Sequence, residues 1–298
     1  MKISDWAIII GMGFIWGGSF LFNAILIREL GPLSVSLGRV GVAAIGCWAY
    51  LLATRVQLPS DWRIYAGLTL LGIINFSIPF ALFPLAQAHV NVGVAGIVNA
   101  LTPIMVVIVS QFWPGGEKAT KAKSIGVAIA FGGVALIALP AVQSGGQSEL
   151  WAIGLMILAT FLYGIALNYT RSFKHLNPSF IATIALTGAT IALLPFVLMI
   201  EGMPQIQKAE SWGALFYIGF IATTFTFLVV YRILERVGAT NMSTTTFVAP
   251  ISAIILGFIV LGENILPIHV AGMAVIFVGI LAIDGRLFKL FQHAKPAA

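Results

Sequence analysis

One arginine stands inside an otherwise apolar run of the sequence. Arg39 lies about a third of the way along residues 33–53. A guanidinium can bind a carboxylate through two parallel hydrogen bonds, and a charge placed in an apolar medium is costly and usually marks a function. We therefore predict that Arg39 binds a substrate carboxylate. The alternative is structural, with Arg39 capping backbone carbonyls or extending to an interface.

Aromatic and polar residues recur at helical spacing in other runs. Trp16, Ser19, Phe20 and Asn23 are three or four residues apart, so they share one face of a helix. Such a platform suits an apolar or aromatic metabolite. The alternatives are ordinary packing for the aromatics and hydrogen bonds within their own helix for the threonines. The other predicted binding residues are Ser77, Asn99, Thr102, Tyr163, Thr170, Thr223 and Thr246.

Prolines inside apolar runs remove backbone hydrogen bonds and kink helices. We predict that these kinks act as gates. The prolines concerned are Pro79, Pro84, Pro103 and Pro250.

The sequence lacks the motifs of most enzymes. It shows no Walker loop, dinucleotide fingerprint, nucleophile elbow or metal-ligand spacing, so we predict no catalytic residue, metal or cofactor. The single cysteine, Cys47, excludes an internal disulfide. Besides Arg39, Asp284 lies at the end of the last run, and no Asp or Glu lies near the middle of any run. Without a carboxylate near the middle of a run, carriage of organic cations is disfavoured.

The elements that position these residues are predicted to be membrane-spanning helices. The 298 residues are 59% hydrophobic and 9% charged, against a charged fraction of about 25% in soluble domains. Continuous apolar blocks near the length of a membrane span favour helices over the alternating strands of a barrel. The runs are 6–27, 33–53, 63–86, 92–112, 122–140, 150–170, 179–200, 211–231, 239–261 and 267–285.

Basic residues give the predicted orientation. With the N-terminus in the cytoplasm, most of the 16 Lys and Arg residues fall in cytoplasmic connectors, as the positive-inside rule requires. We predict a bacterial inner-membrane protein with both termini cytoplasmic and a basic tail at 286–298. The net charge of +6 then follows from topology, and nucleic acid is not a predicted partner.

The chain also repeats itself. At a shift of 146 or 147 residues, Trp16 meets Tyr163, Pro103 meets Pro250, and Glu117 meets Glu263. The predicted repeats are 1–140 and 150–285, joined by a flexible linker at 141–149. Because each repeat holds five helices, the second must enter the membrane with opposite polarity. Inverted repeats of this kind place a binding site between the halves and expose it alternately to each side.

These duplicated features resemble the EamA-type drug/metabolite transporter superfamily over nearly the whole chain. The resemblance is carried by FIWGGSF from Phe14, by ALTPIMVVIVSQFWPGGE ending at Glu117, and by FVAPISAIILGFIVLGE ending at Glu263. It implies ten helices, export of metabolites with or without proton coupling, and no bound cofactor.

The predicted function is therefore a secondary-active or facilitative exporter of small metabolites, most concretely hydrophobic or aromatic amino acids. Efflux of drugs or organic cations is the alternative within transport; an intramembrane enzyme or a channel is the alternative outside it. The predicted partners are a small-molecule substrate and the lipid bilayer, and the predicted assembly is a monomer or a homodimer.

Overall fold

The computed structural model describes residues 2–118, 120–238, 242 and 244–283. Every regular element in these residues is helical, which confirms the predicted all-helical class. Asp284 and the predicted tail 286–298 lie outside the described residues. The helices are α1 (Ile3–Leu26), α2 (Pro32–Ala53), α3 (Trp62–Gln87), α4 (Val92–Phe112), α5 (Lys121–Ser144), α6 (Gln147–Phe173), α7 (Pro178–Ile200), α8 (Ala209–Phe216, Tyr217–Phe225 and Thr226–Val237), α9 (Thr245–Leu261) and α10 (Pro267–Ile283).

Within the described residues, eight helices, α1 to α8, are long and apolar enough to cross a membrane. Helices α9 and α10 are apolar but shorter. The helix bounds agree with the predicted apolar runs to within about four residues, with two exceptions. Helix α8 continues to Val237, beyond the end of its run at 231. At the start of the run 239–261, residues 239–241 and 243 are not described. Hydropathy locates these helices well because a membrane span must satisfy its backbone internally and present apolar side chains.

Proline and glycine set several helix ends. Pro32, Pro178 and Pro267 occupy the first position of α2, α7 and α10, where the missing N–H would have no helical partner. Gly145, with φ of +69°, ends α5 in the left-handed conformation, and α6 begins at Gln147. The segment 141–149 is therefore largely helical. In place of the predicted flexible linker, the structure has a short turn at Gly145 and Gly146 between two helices.

Helices α3 and α8 each contain a stretch of π-helix. The first is Ile73–Ser77 and the second is Tyr217–Phe225. At the shift of 147 that aligns the halves, residues 73–77 fall on 220–224, inside the second stretch. Both repeats therefore carry the same interruption at the same place, and such interruptions are frequent at functional sites.

Glycines bring α5 and α10 into close contact. A Cβ atom on Gly126 would lie 2.7 Å from the carbonyl oxygen of Gly279, and one on Gly133 would lie 2.6 Å from that of Gly272. The order of these contacts makes the two helices antiparallel. Small residues at this spacing let backbones approach in membrane proteins, as the sequence predicted for α5.

The equivalent helices α2 and α7 are also antiparallel. Glu201, just after α7, contacts Leu33 at the start of α2, whereas Trp48 near the end of α2 donates to Thr187 within α7. The other helix contacts also occur twice, with the roles of the two halves interchanged. Helix α1 packs on α9 as α6 packs on α4, and α3 packs on α7 as α8 packs on α2. Buried side chains accordingly form one large cluster around α4, α5, α6 and α10 and another around α2, α3 and α7.

Three helix starts at one end of the molecule are capped by carboxylates from the opposite half. Glu201 accepts hydrogen bonds from the backbone N–H groups of Leu33 and Ser34, at 2.9 and 2.8 Å, at the start of α2. The carboxylate of Glu263 caps α4, and that of Glu29 caps α8. We call this end the capped face. The other end carries basic residues at several helix ends and loops, and we call it the basic face. These include Arg55, Arg63, Lys121, Lys123, Arg171 and Lys174. There α1 starts, and an ion pair of 2.7 Å joins Asp5 to Arg236 of α8.

Candidate functional site

A cavity of about 310 Å³ lies between the two halves, against α1, α2, α3, α4, α6, α8 and α9. Its wall has seven aromatic residues, six uncharged polar residues, two aliphatic residues and one cation. The lining residues are Trp16, Ser19, Phe20, Asn23, Arg39, Asn75, Phe76, Phe80, Phe83, Asn99, Thr102, Tyr163, Leu167, Ala222, Phe227 and Thr246.

Arg39 is the charged group of this wall. Its side chain is buried, with the residue 8% exposed. The guanidinium carbon lies 3.8 Å from the centre of the Phe80 ring, a cation–π contact. Nε donates to the hydroxyl of Thr223 at 3.1 Å and Nη2 donates to that of Ser19 at 3.4 Å. These bonds use two of the five N–H groups that a guanidinium offers.

Among the described residues, no carboxylate forms an ion pair with Arg39 or lines the cavity. Burying an unpaired charge is costly. The remaining N–H groups can therefore serve an anionic ligand. A fork of donors favours a planar group such as a carboxylate.

The π-helical stretch of α8 prepares Thr223 for this contact. The hydroxyl of Thr223 donates to the carbonyl of Ile218, five residues earlier, at 2.7 Å. Its proton is thus committed to the helix, and its oxygen remains available to accept from Arg39. Thr223 therefore helps to orient the guanidinium of Arg39. It does not itself line the cavity.

Trp16 is fixed between the halves. Its indole N–H donates to Thr226 of α8 at 3.2 Å. At the next residue of α1, a Cβ atom on Gly17 would collide with Ser252 and with the backbone of Ala249 in α9. Close approach of α9 therefore depends on glycine there, and the contact of α1 with α8 and α9 holds the indole at the wall.

A network of amides lies where α1 ends. Asn23 is 2% exposed and still contributes to the wall. Its Nδ2 donates to Gln87 of α3 at 3.2 Å, and Nε2 of Gln87 donates to the carbonyl of Phe20 at 2.8 Å. Phe20 and Phe83 meet edge to face beside this network, with ring centres 5.5 Å apart.

The structure brings most of the sequence-predicted binding residues together. Three of them do not line the cavity: Thr223, Ser77, which donates to the carbonyl of Ala189, and Thr170, which donates to that of Ala166 in its own helix. The predicted binding residues that line the cavity are Trp16, Ser19, Phe20, Asn23, Arg39, Asn99, Thr102, Tyr163 and Thr246.

The four predicted gating prolines lie outside the cavity wall. Pro79 follows the π-helical stretch of α3, and Pro84 lies within the same helix. Pro103 follows a break of α4 between Asn99 and Thr102. Its counterpart, Pro250, lies inside α9, which is continuous from Thr245 to Leu261. Their action as gates stays a prediction.

Sequence reasoning missed several aromatic residues of the wall. Phe76, Phe80 and Phe83 follow the same spacing of three and four residues that identified the stripe in α1, so periodicity alone could have found them. Phe227 and Ala222 carried no comparable signal. No group of three or more His, Cys, Asp or Glu side chains that could hold a metal occurs among the described residues.

Comparison with known proteins assigns the chain to a family. The EamA-like transporter family matches residues 5–139 and again 150–283. An uncharacterized transporter of Archaeoglobus fulgidus is 26% identical over 89% of this chain and 93% of its own length. A probable terminal-alkyne amino-acid exporter of Streptantibioticus cattleyicolor is 24% identical over 99% of this chain and 98% of its own.

A solved crystal structure has the same fold. It superposes with a TM-score of 0.66 at 16% sequence identity, covering 95% of this chain and 98% of that one. At this identity the likeness concerns the fold alone. Since the family matches both halves of the sequence, the chain belongs to the EamA-like transporter family of the drug/metabolite transporter superfamily and is a multi-pass membrane transporter.

Proposed function

We propose that this transporter is a secondary-active or facilitative carrier that exports small metabolites, most concretely hydrophobic and aromatic amino acids, by alternating access. The observation that carries the proposal is Arg39. Its guanidinium is buried in the wall of an aromatic cavity between the repeats. No carboxylate among the described residues forms an ion pair with it. A substrate with one carboxylate and an apolar side chain complements both features.

The proposed architecture has ten spans in two inverted five-helix repeats, 1–140 and 150–285. Antiparallel packing of the equivalent pairs α2 with α7 and α5 with α10 supports the inversion. The proposed location is a bacterial inner membrane with both termini in the cytoplasm. Basic residues at the basic face support that orientation, because cytoplasmic loops are enriched in Lys and Arg.

The chemistry of the cavity bears on the substrate class. Organic cations fit it poorly because the described wall offers a cation and no carboxylate. The relative from Streptantibioticus cattleyicolor that is named as a probable amino-acid exporter lends support to amino acids. The aromatic wall favours side chains such as that of phenylalanine, which can pack against several rings.

Transport in proteoliposomes tests the proposal. The purified full chain would be reconstituted and loaded with unlabelled amino acids, and uptake of radiolabelled L-phenylalanine, L-leucine and L-alanine would be measured against empty vesicles. We expect saturable counterflow that is strongest for phenylalanine. Repeating the assay with a pH gradient decides between proton-coupled and facilitated transport. Flux no greater than in empty vesicles across a full amino-acid panel would refute the substrate class, and flux without saturation would indicate a channel.

A further inference from the structure

The cavity wall repeats the internal symmetry of the chain. Each residue that the second repeat contributes to the described wall lies 147 positions after a lining residue of the first repeat. One of these pairs, Asn75 and Ala222, lies inside the π-helical stretches of α3 and α8. The other pairs are Trp16 and Tyr163, Phe20 and Leu167, Phe80 and Phe227, and Asn99 and Thr246. At equivalent places the cavity therefore receives an amide from one repeat and a methyl group from the other.

The amide of Asn75 is open to the cavity and has no protein partner. Asn75 is half-buried, and its side chain makes no hydrogen bond within the described part of the chain. Among the described residues, the unpartnered polar atoms that are closed off from the cavity include Oδ1 of Asn23 but neither amide atom of Asn75. An amide offers two donors and a carbonyl acceptor. A ligand in the cavity can therefore donate a hydrogen bond to Asn75.

Two hydrogen bonds hold the segment that carries Asn75. The hydroxyl of Ser77 donates to the carbonyl of Ala189 in α7 at 3.2 Å. The hydroxyl of Ser36 in α2 donates to the carbonyl of Ser77, also at 3.2 Å. Helices α2 and α7 thus fix the π-helical stretch of α3 from two sides, and the place of Asn75 in the wall does not depend on a ligand.

The hydrogen bond between Ser36 and Ser77 also places Asn75 level with Arg39. Helices α2 and α3 are antiparallel neighbours, because α2 starts at the capped face and a short loop joins its end to the start of α3. From this hydrogen bond, Arg39 lies three residues further toward the basic face and Asn75 lies two. These offsets are about 4.5 and 3 Å along the helices. Since Arg39 and Asn75 line the same cavity, one small ligand can contact both.

The charges of the wall decide which group of a ligand Asn75 receives. Arg39 attracts the carboxylate. The described wall contains no carboxylate of its own, so an ammonium must find a neutral acceptor, and burying it without one is costly. An α-amino acid carries its ammonium and its carboxylate on one carbon atom. A carboxylate at Arg39 therefore brings the ammonium within reach of Oδ1 of Asn75.

We propose that Oδ1 of Asn75 accepts a hydrogen bond from the α-ammonium group of the substrate, so that the cavity selects α-amino acids over carboxylic acids that lack the amine. The inference rests on the proposed amino-acid function and adds the residue that recognises the amine. Asn75 is then a specificity-determining residue of the first repeat.

Two ligands of similar shape test this role. Binding of L-phenylalanine and of 3-phenylpropionate, which lacks the amine, would be measured on the purified full chain. The wild type is expected to bind phenylalanine at least about tenfold more tightly, the factor expected for a hydrogen bond to a charged group. Asn75→Ala should remove that preference by weakening phenylalanine while leaving 3-phenylpropionate within about twofold of the wild type. Asn75→Ser, which keeps a hydroxyl acceptor, should retain part of it.

The chain supplies its own controls. Asn75→Ala gives position 75 the side chain that Ala222 has at the equivalent place, so the π-helical stretch is expected to accept it. Asn99 is another amide of the wall, but it lies on α4, which packs on α6 and α9, whereas the helix of Arg39 packs on α3, α7 and α8. Asn99→Ala should leave the ratio of the two affinities unchanged.

The possible outcomes separate the two proposals. Equal binding of both ligands by the wild type, equal weakening of both by Asn75→Ala, or a preference that survives Asn75→Ala and Asn75→Ser would overturn the role of Asn75 and leave carboxylate transport intact. Loss of the preference in Asn99→Ala alone would also overturn it. Failure of the wild type to bind either ligand, or any amino acid of a panel, would instead overturn the proposed function and the inference with it.

Discussion

Helices α1 and α6 occupy equivalent places in the two repeats, yet they present different chemistry to the cavity. In α1 the stripe that begins at Trp16 continues with Ser19, Phe20 and Asn23, and Oδ1 of Asn23 has no hydrogen-bond partner among the described residues. The matching stripe in α6 is Tyr163, Ala166, Leu167 and Thr170. In this second stripe Thr170 does not line the cavity, and its hydroxyl donates to the carbonyl of Ala166 in the same helix at 2.7 Å.

The same contrast holds for the arginine. At the shifts that align the repeats, Arg39 meets Ala185 or Leu186, and both of these are buried apolar residues in α7. The two repeats thus share a backbone plan, including the π-helical stretches of α3 and α8, but differ in polar groups. The first repeat supplies most of the groups that can recognise a charged ligand. The second repeat contributes further lining residues, packing contacts between helices, and the hydroxyl of Thr223, which accepts a hydrogen bond from Arg39.

Substitution of Arg39 should produce the largest effect on this comparison. Arg39→Gln removes the charge that pairs with the carboxylate, and we expect affinity for L-phenylalanine to fall by about 100-fold or more, as for loss of one partner of a buried charge pair. The loss is read as disappearance of the ligand-induced rise in unfolding temperature. Arg39→Lys should recover only part of the affinity, because an ammonium lacks the planar fork.

Arg28→Gln, at an exposed position of the loop after α1, is the control for Arg39→Gln and should bind like the wild type. Unchanged binding by folded Arg39→Gln would assign Arg39 to structure alone.

The shared backbone plan predicts equal effects at the glycine contacts of both repeats. Gly133→Val in α5 and the equivalent Gly279→Val in α10 should each destabilise the protein by about 1–3 kcal/mol, the usual cost of overpacking. The reason is that a Cβ atom on either glycine would lie 2.6 Å from a backbone carbonyl oxygen of the other helix, which is too close for an ordinary contact. Thermal unfolding in detergent measures the loss.

Gly132→Val provides the matched control for these glycines, since a Cβ atom at Gly132 meets nothing within 4 Å. It should unfold like the wild type. A loss at one of the two contact glycines and not at the other would break the claim that the repeats are equivalent in packing.

The aromatic counterparts Trp16 and Tyr163 should distinguish substrates by side chain. Trp16→Ala is expected to weaken binding of L-phenylalanine by about tenfold and of L-alanine by much less, since ring contacts add to burial. Tyr163→Ala should act in the same direction. Competition binding with both amino acids measures the difference. If Trp16→Ala weakened both ligands alike, the indole would be a packing residue.

The smallest expected effect concerns the start of α2. Glu201 caps this helix, whereas its counterpart at a shift of 146 is Arg55, and α7 is capped by its own Asn177. Glu201→Gln should therefore cost about 1 kcal/mol of stability, typical of a lost helix cap. Arg55→Gln should cost nothing measurable. Thermal unfolding of the two variants side by side would show the asymmetry, and equal losses would contradict it.

Much of this architecture was predictable from sequence because hydropathy and periodicity report directly on membrane helices. The spans of α1 to α8 and the stripe from Trp16 to Asn23 required only apolar length and helical spacing. Glycine spacing in α5 likewise predicted close packing, since a missing side chain is visible in the sequence itself.

The details of the site were less accessible. Residues 73–77 and 217–225 read as ordinary helix, because a π-helical stretch leaves no mark on hydropathy. The placement of Phe80 beneath Arg39 and of Gln87 beside Asn23 depends on how helices are rotated about their axes. Thr223 was predicted as a binding residue; it lies outside the cavity wall, and its hydroxyl donates to Ile218 and accepts from Arg39.

Counterflow of radiolabelled L-phenylalanine tests most directly whether the first repeat carries recognition. Proteoliposomes would contain the wild type, Arg39→Gln or Thr170→Val, the last altering the hydroxyl that bonds to its own helix in α6. We predict saturable counterflow for the wild type and for Thr170→Val, and none for Arg39→Gln at equal amounts of folded protein. Counterflow that survives Arg39→Gln, or that is lost only with Thr170→Val, would contradict the assignment of substrate recognition to the first repeat.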